Sequence, residues 1–200
     1  MRIAPITRVT AACASRSWPN ERLRAASTAS CSPSTTPSRP TDELRVLSER
    51  HEVLLLPGME IGTDVGHVLV YGLDRFRPEL LEIDTLRRIV IAEGAAMALA
   101  HPMRPFHGGQ HAARENYEQW FDAVETINGD HADTEGGPFE QLTSKLGISA
   151  IGGSDVHSAQ AVGRAVTTFE ATVDSIEELV DQLRAATTRP RDLRPRNPIE

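Results

Sequence analysis

The stretch that decides the fold is Ala150–Phe169, AIGGSDVHSAQAVGRAVTTF. An apolar run ends in two glycines. Ser154, Asp155 and, two residues on, His157 follow, and a second apolar run begins at Ala165. Short apolar runs between turn signals read as buried strands, here ISAIGGSD and then AVTTFEA. Asp155 and His157 therefore stand where a buried strand reaches the surface. Gly152 and Gly153 would let the chain curl and let backbone approach closely, so both side chains of the D-x-H segment can reach one pocket. A carboxylate and an imidazole there suit a metal ion, but they need partners from other strands.

Working outward, the chain alternates between helical and extended patterns. TDELRVLSERH reads as a helix with Thr41 or Asp42 as N-cap and Leu44 and Leu47 on one face. EVLLLPGMEIG reads as a strand ended by Pro57-Gly58, and HVLVYGL as the next strand. EIDTLRRIVIAEGA, RENYEQWFD and GPFEQLTSKLG read as helices, the last stopped at Gly147, and AMALAHP and AVETING as strands. DSIEELVDQLRAAT is an amphipathic helix capped by Asp174 or Ser175, with Glu177 in its first turn. Strands alternating with helices imply parallel βαβ units, an α/β class whose functional groups collect at the carboxyl ends of the strands.

The partners are found there. Glu60 ends one predicted strand and His67 begins the next; His101, Asn128 and the Asp155–His157 pair follow other strands. Pro102 pushes His101 out of the helical region into an extended conformation that aims its ring off the strand end. Singly, each has a plainer reading: a lone histidine after a strand is more often a hydrogen-bonded loop residue, and Glu60 could be a solvated or capping carboxylate. Their joint occurrence favours a metal site. Arg104 is read as a phosphate-binding fork or as a surface arginine, and Arg164 is a weaker candidate of the same kind. His107, His111 and His131 lie in polar loop sequence and read as solvated, with His107 the one nearest to a substrate role. Tyr117, Trp120 and Phe121, at helical spacing, read as core.

Bulk composition narrows the classes. Two hundred residues make one domain with room for a real core. A net charge of −7 argues against stable nucleic-acid binding, and no apolar run approaches the length of a membrane helix. Two cysteines, Cys13 and Cys31, are too few for a disulfide framework. A cytoplasmic protein with no membrane partner is expected. The charge is unevenly spread: residues 1–40 hold six arginines against Glu21, +5, and the remainder carries −12. All fourteen glycines and all seven histidines come after residue 40. Residues 1–40 show no period and include the low-complexity SCSPSTTPSRP, so they are expected to be atypical and disordered. The folded domain is expected over 41–187, and 188–200, rich in Arg and Pro, as a flexible tail.

Together PGMEI, GHVLVYGL, ALAHPMRP, VETING and GGSDVHSAQAVGRAVTTF resemble the polymerase-and-histidinol-phosphatase (PHP) family over about residues 44–187. The resemblance implies a distorted (β/α)7 barrel, TIM-like, here incomplete at its N-terminal strands. It implies Glu60, His101, Asp155 and His157 as metal ligands, with His67 beside them, and divalent ions (Zn, Mn, Fe or Mg) as cofactors. It implies a metal-dependent phosphoesterase acting on a small phosphorylated substrate, a phosphomonoester or nucleotide-type phosphate. In that chemistry ions hold the phosphate oxygens, a metal-bound hydroxide attacks phosphorus in line, and Arg104 neutralises the non-transferred oxygens. The alternative is a catalytically inactive remnant that binds at most one ion. An accessory domain of a DNA polymerase is disfavoured because no polymerase sequence accompanies the chain.

The family's opening D-x-H-x-H strand and its later D-H or E-H motif are missing, and with them about half of the expected ligands. Codon degeneracy offers a reason. Read one base early, the codons of Arg24–Pro40 permit AGGLDGLVVTEHDAVAA, close to the family's second motif, and Thr7–Ala12 permits HTRYSG. Residues 4–40 are therefore expected to be a frameshifted reading, with one indel after Ile3 and a second near Pro40. A shifted frame lacking an H-T and an E-H or D-H motif in the coding DNA overturns this. The rival, an Arg- and Ser-rich transit peptide, leaves the missing strand unexplained.

Overall fold

The protein is described by a computed structural model over residues 8–15, 23–29, 40–51, 53–104, 114–130, 136–157 and 159–195. In chain order these form β1 (Arg8–Ser15), β2 (Leu23–Ala29), α1 (Pro40–His51), β3 (Val53–Thr63), β4 (Gly66–Tyr71), α2 (Ile83–Ala92), β5 (Ala96–Leu99), α3 (Tyr117–Trp120), β6 (Ala123–Asn128), α4 (Gly136–Leu146), β7 (Ser149–Gly153), β8 (Ala165–Phe169), α5 (Ile176–Arg184) and β9 (Thr188–Asp192). The strands make one nine-stranded mixed sheet in the order β1-β3-β4-β5-β6-β7-β2-β8-β9, and β1 also pairs with β2.

The expected all-parallel arrangement holds only in the middle. β5, β6 and β7 run parallel, with a bulge between Glu125 and Ile127. β3, β4 and β5 are antiparallel neighbours. The reason is local: β3 and β4 are joined by the two-residue turn Asp64-Val65, which leaves no room for the crossover that parallel strands need. Pro57-Gly58 does not end β3, which runs on to Thr63 and pairs through Pro57 with Ala11. The segment expected to be disordered contributes β1 and β2. β3 and β7 would otherwise present open edges, and a proline-free extended segment can satisfy their backbone groups. The expected tail likewise supplies β9, antiparallel to β8.

The central strands are apolar on both faces, with the period of two. Val68, Val70, Met97 and Leu99 pack one face, with Leu86 and Val90 of α2 and with Tyr117, Phe121 and Phe139. Leu69, Tyr71, Ala96 and Ala98 pack the other, against Leu179, Val180 and Leu183 of α5. Each fully buried Leu, Val or Phe stabilises the fold by roughly 1.5–3 kcal/mol. Tyr117 and Phe121 are core, as their spacing implied; Trp120 packs at the margin and donates to Asp84. α2 lacks a capping side chain of its own, and Asp64, from the β3–β4 turn, accepts from Ile83 N instead. Ser175 caps α5 by accepting from Glu178 N. Among the described residues no helix is long and apolar enough to cross a membrane.

α5 ends on Ala185, and Ala186 carries φ +53°, a left-handed position that favours glycine. Ala186→Gly is expected to stabilise the protein by about 0.5–1 kcal/mol, a rise in Tm of roughly 1–4 °C by calorimetry. A fall in Tm would contradict the cap geometry.

Candidate metal centre

Glu60 lies inside β3, opposite Leu69 of β4, rather than at a strand end as expected. His67, on β4, pairs with Gly62, so the hairpin itself brings the two side chains together. His67 Nδ1 is 2.9 Å from Glu60 Oε1. His101, just past the end of β5, places Nε2 3.5 Å from the same oxygen. The two imidazoles meet edge to face, with centroids 5.0 Å apart. Burial pushes the Glu60 carboxyl up, but hydrogen bonds from His101 and His67, and their charges, prevail and hold it well below the usual carboxylate range.

His101 does not adopt the extended conformation expected before Pro102; its φ is +28°. Two hydrogen bonds hold this strained backbone: His101 N donates to Glu125 Oε2 at 2.8 Å, and Arg104 N closes a turn on His101 O at 2.9 Å. Asp155, at the end of β7, is also left-handed, with φ +45°.

Asp155 and His157 come together as expected, but their third partner is Asp130, in the loop after β6. Asp130 Oδ2 and Asp155 Oδ1 each lie 3.8 Å from His157 Nδ1. That nitrogen is also 2.9 Å from the carbonyl of Asp155, so it is the donor there. Arg104, expected to face a phosphate, puts Nη2 2.6 Å from Asp155 Oδ2 and 3.5 Å from Asp130 Oδ2. Arg164 stands behind the loop, its Cβ against Gly129, and its carbonyl accepts from Leu193 N. His107, His111 and His131 lie outside the described residues.

Between the two groups sits Glu125, on β6. It is fully enclosed, accepts from Asn128 Nδ2 at 2.9 Å as well as from His101 N, and packs against Gly153 so closely that a Cβ there would fall 1.9 Å from Oε1. Asn128 Nδ2 also reaches Asp155 Oδ2 at 3.4 Å. Burial pushes the Glu125 carboxyl up to about 8, against the two donated hydrogen bonds and with added repulsion from Asp155 and Glu60. Glu125 was legible: a lone acid within the apolar run Ala123–Ile127 is costly to bury without a role. Asp130 was not, since it stands among other loop acids.

The chemistry of the donors decides the fit. Glu60, His67 and His101 offer one carboxylate oxygen and two imidazole nitrogens within 4.8 Å of one another, a set that suits a borderline divalent ion. Asp130, Asp155 and His157 offer two carboxylates and one imidazole within the same span.

The PHP-associated family model matches residues 140–188, which include the Asp155–His157 pair and α5. No curated protein matches the chain. Among solved structures, a two-domain protein from Bacteroides vulgatus ATCC 8482 containing a predicted PHP-like metal-dependent phosphoesterase superposes with TM-score 0.62 and 21% identity, over 80% of this chain and 51% of that one. PsfC from Pseudomonas syringae PB-5123 superposes with TM-score 0.55 and 20% identity, over 70% of this chain and 59% of that one. The chain thus spans between half and three fifths of those proteins. The similarity to the PHP-associated model is thus confined to residues 140–188, and the two solved structures share the fold.

Proposed function

We propose that the protein is a metal-dependent phosphoesterase acting on a small phosphorylated substrate. The observation that carries this reading is the convergence of Glu60, His67 and His101 on one point, with Arg104 close by. A divalent ion held there would supply a Lewis acid for a phosphate oxygen and a water nucleophile at neutral pH. Glu60 provides the negative charge, and the two imidazoles provide the nitrogens. Glu125 fixes His101 from behind through its backbone N–H. Arg104, whose guanidinium stands against the second group, would bind and orient the phosphate oxygens.

The likeness to the Bacteroides protein supports the class of activity and not its substrate. The strand pairings β1–β3–β4–β5–β6–β7–β2 return to β1, which supports a barrel reading in which these side chains share one end. The acidic charge favours a small substrate over nucleic acid, and a cytoplasmic setting with no membrane partner goes with that reading. The second reading, an inactive remnant binding one ion, is favoured by the engagement of Asp155 by Arg104.

The test is hydrolysis of p-nitrophenyl phosphate by the full chain with Mn²⁺, Zn²⁺, Fe²⁺ or Mg²⁺ in turn. The expected result is turnover that EDTA removes and that His101→Ala and His157→Ala abolish without loss of fold by circular dichroism. Turnover indifferent to chelation would overturn the metal reading; no turnover with any ion leaves the remnant.

A further inference from the structure

Asp155 Oδ2 accepts from Arg104 Nη2 at 2.6 Å and lies 3.4 Å from Asn128 Nδ2. Those two donors fill its lone pairs. The same Nη2 reaches Asp130 Oδ2 at 3.5 Å, so one guanidinium nitrogen stands between both carboxylates of the second donor group. The geometry is supported from the chain: Arg104 N closes a turn on His101 O, which carries the side chain from the end of β5 across to the loops after β6 and β7. Asp155 is buried, and a buried carboxylate without a cation is unfavourable. An ion entering this group would have to displace Arg104 or share the carboxylates with a like charge.

We infer that Arg104 and a divalent ion compete for Asp130 and Asp155, so the resting protein holds one ion, at Glu60, His67 and His101, and its second donor group is closed by its own arginine. The inference rests on the reading of the first group as a metal site. It departs from a two-ion resting state: positive charge beside the second group comes from the protein, and a second ion binds only as Arg104 leaves.

Calorimetric titration of the full chain with Mn²⁺, checked by paramagnetic resonance counting of free Mn²⁺, tests it. The wild-type protein is expected to bind one equivalent, with any second at least about tenfold weaker. In Arg104→Met, which keeps the bulk and removes the charge, the second equivalent is expected to tighten by about 10- to 100-fold. Adding Asp155→Asn to that variant is expected to remove the gain, and Arg104→Lys, which keeps the charge, to behave as wild type. A second equivalent no tighter in Arg104→Met than in wild type overturns the competition, as do two equivalents of like affinity in the wild type. Where Arg104→Met does not fold, Arg104→Gln carries the same comparison. A wild-type protein that binds no Mn²⁺ fails the first-group reading alone; an equivalent gained in Arg104→Met then still supports the competition, and none overturns it.

Discussion

Gly152→Ala is expected to destabilise the protein by about 3 kcal/mol or more, at the upper end of what overpacking costs. A Cβ at position 152 would lie 2.5 Å from the carbonyl oxygen of Val166, with the carbon and nitrogen of that residue at 3.1 and 3.3 Å. The obstacle is backbone and has nowhere to go. β8 is paired along its length with β9, and at Thr167 and Thr168 with β2. Thr167 Oγ1 ties it to Gly152 from the near side, accepting from Gly152 N at 3.0 Å and donating to Gly152 O at 2.9 Å. The methyl group would have to part β7 from β8 and break both bonds. Urea denaturation of the metal-free protein measures the effect, and a change below 1 kcal/mol would mean that the strands are not packed this closely.

The same displacement reaches the second donor group. Ser154 Oγ, between Gly153 and Asp155, donates to Ala165 O and accepts from Gly163 N, so parting the strands moves the start of the Asp155 loop. Of the two uses read for these glycines in the sequence, close approach holds and the curl does not. Neither has a positive φ. They permit close approach, Gly152 to the β8 backbone and Gly153 to the Glu125 carboxylate, while the turn itself is made by Asp155.

That contrast shows how far the sequence could be read. Periodicity located β4, α2, β6, α4 and α5, because in each the apolar spacing records which face is buried, and burial is what patterns reflect. Histidines and acids near the strand ends pointed to one metal site for a similar reason, that polar side chains beside a buried strand need partners, and the structure gathers them into two groups. What pattern could not carry was pairing direction, since a strand apolar on both faces looks the same beside parallel or antiparallel neighbours. Nor could it reveal β1, β2 and β9, whose place depends on edges offered by strands far along the chain. Arg104 was read as a phosphate fork or a surface arginine, and its pairing with Asp155 had no signal, because an ion pair over 51 residues leaves no local trace.

Glu125 supplies the other large effect, on the pH dependence of stability. Its carboxyl ordinarily titrates near 4.5 and is raised in the folded protein to about 8, chiefly by burial. Between those values the folded state holds a proton that the unfolded chain has released. Stability from this group is thus complete below about pH 4.5 and falls as the pH rises towards 8, with a slope of up to ~1.4 kcal/mol per pH unit. Across the window the metal-free protein is expected to lose about 4 kcal/mol through this residue. Glu60, held low, acts with the opposite sign and only at more acid pH, so it does not mask the effect. Glu125→Gln removes the titration while keeping an oxygen for His101 N. The amide oxygen in the place of Oε2 accepts from both His101 N and Asn128 Nδ2, but the NH2 in the place of Oε1 has two hydrogens to satisfy in that enclosed space where the protonated carboxyl has one. The variant is therefore expected to be about 1 kcal/mol less stable than wild type at pH 5 and more stable at pH 8. Urea midpoints at both pH values decide it: parallel pH profiles for the two proteins would show that Glu125 is ionised in the fold. A crossing would show a neutral carboxyl behind His101, one that a divalent ion bound at Glu60, His67 and His101 would favour ionising.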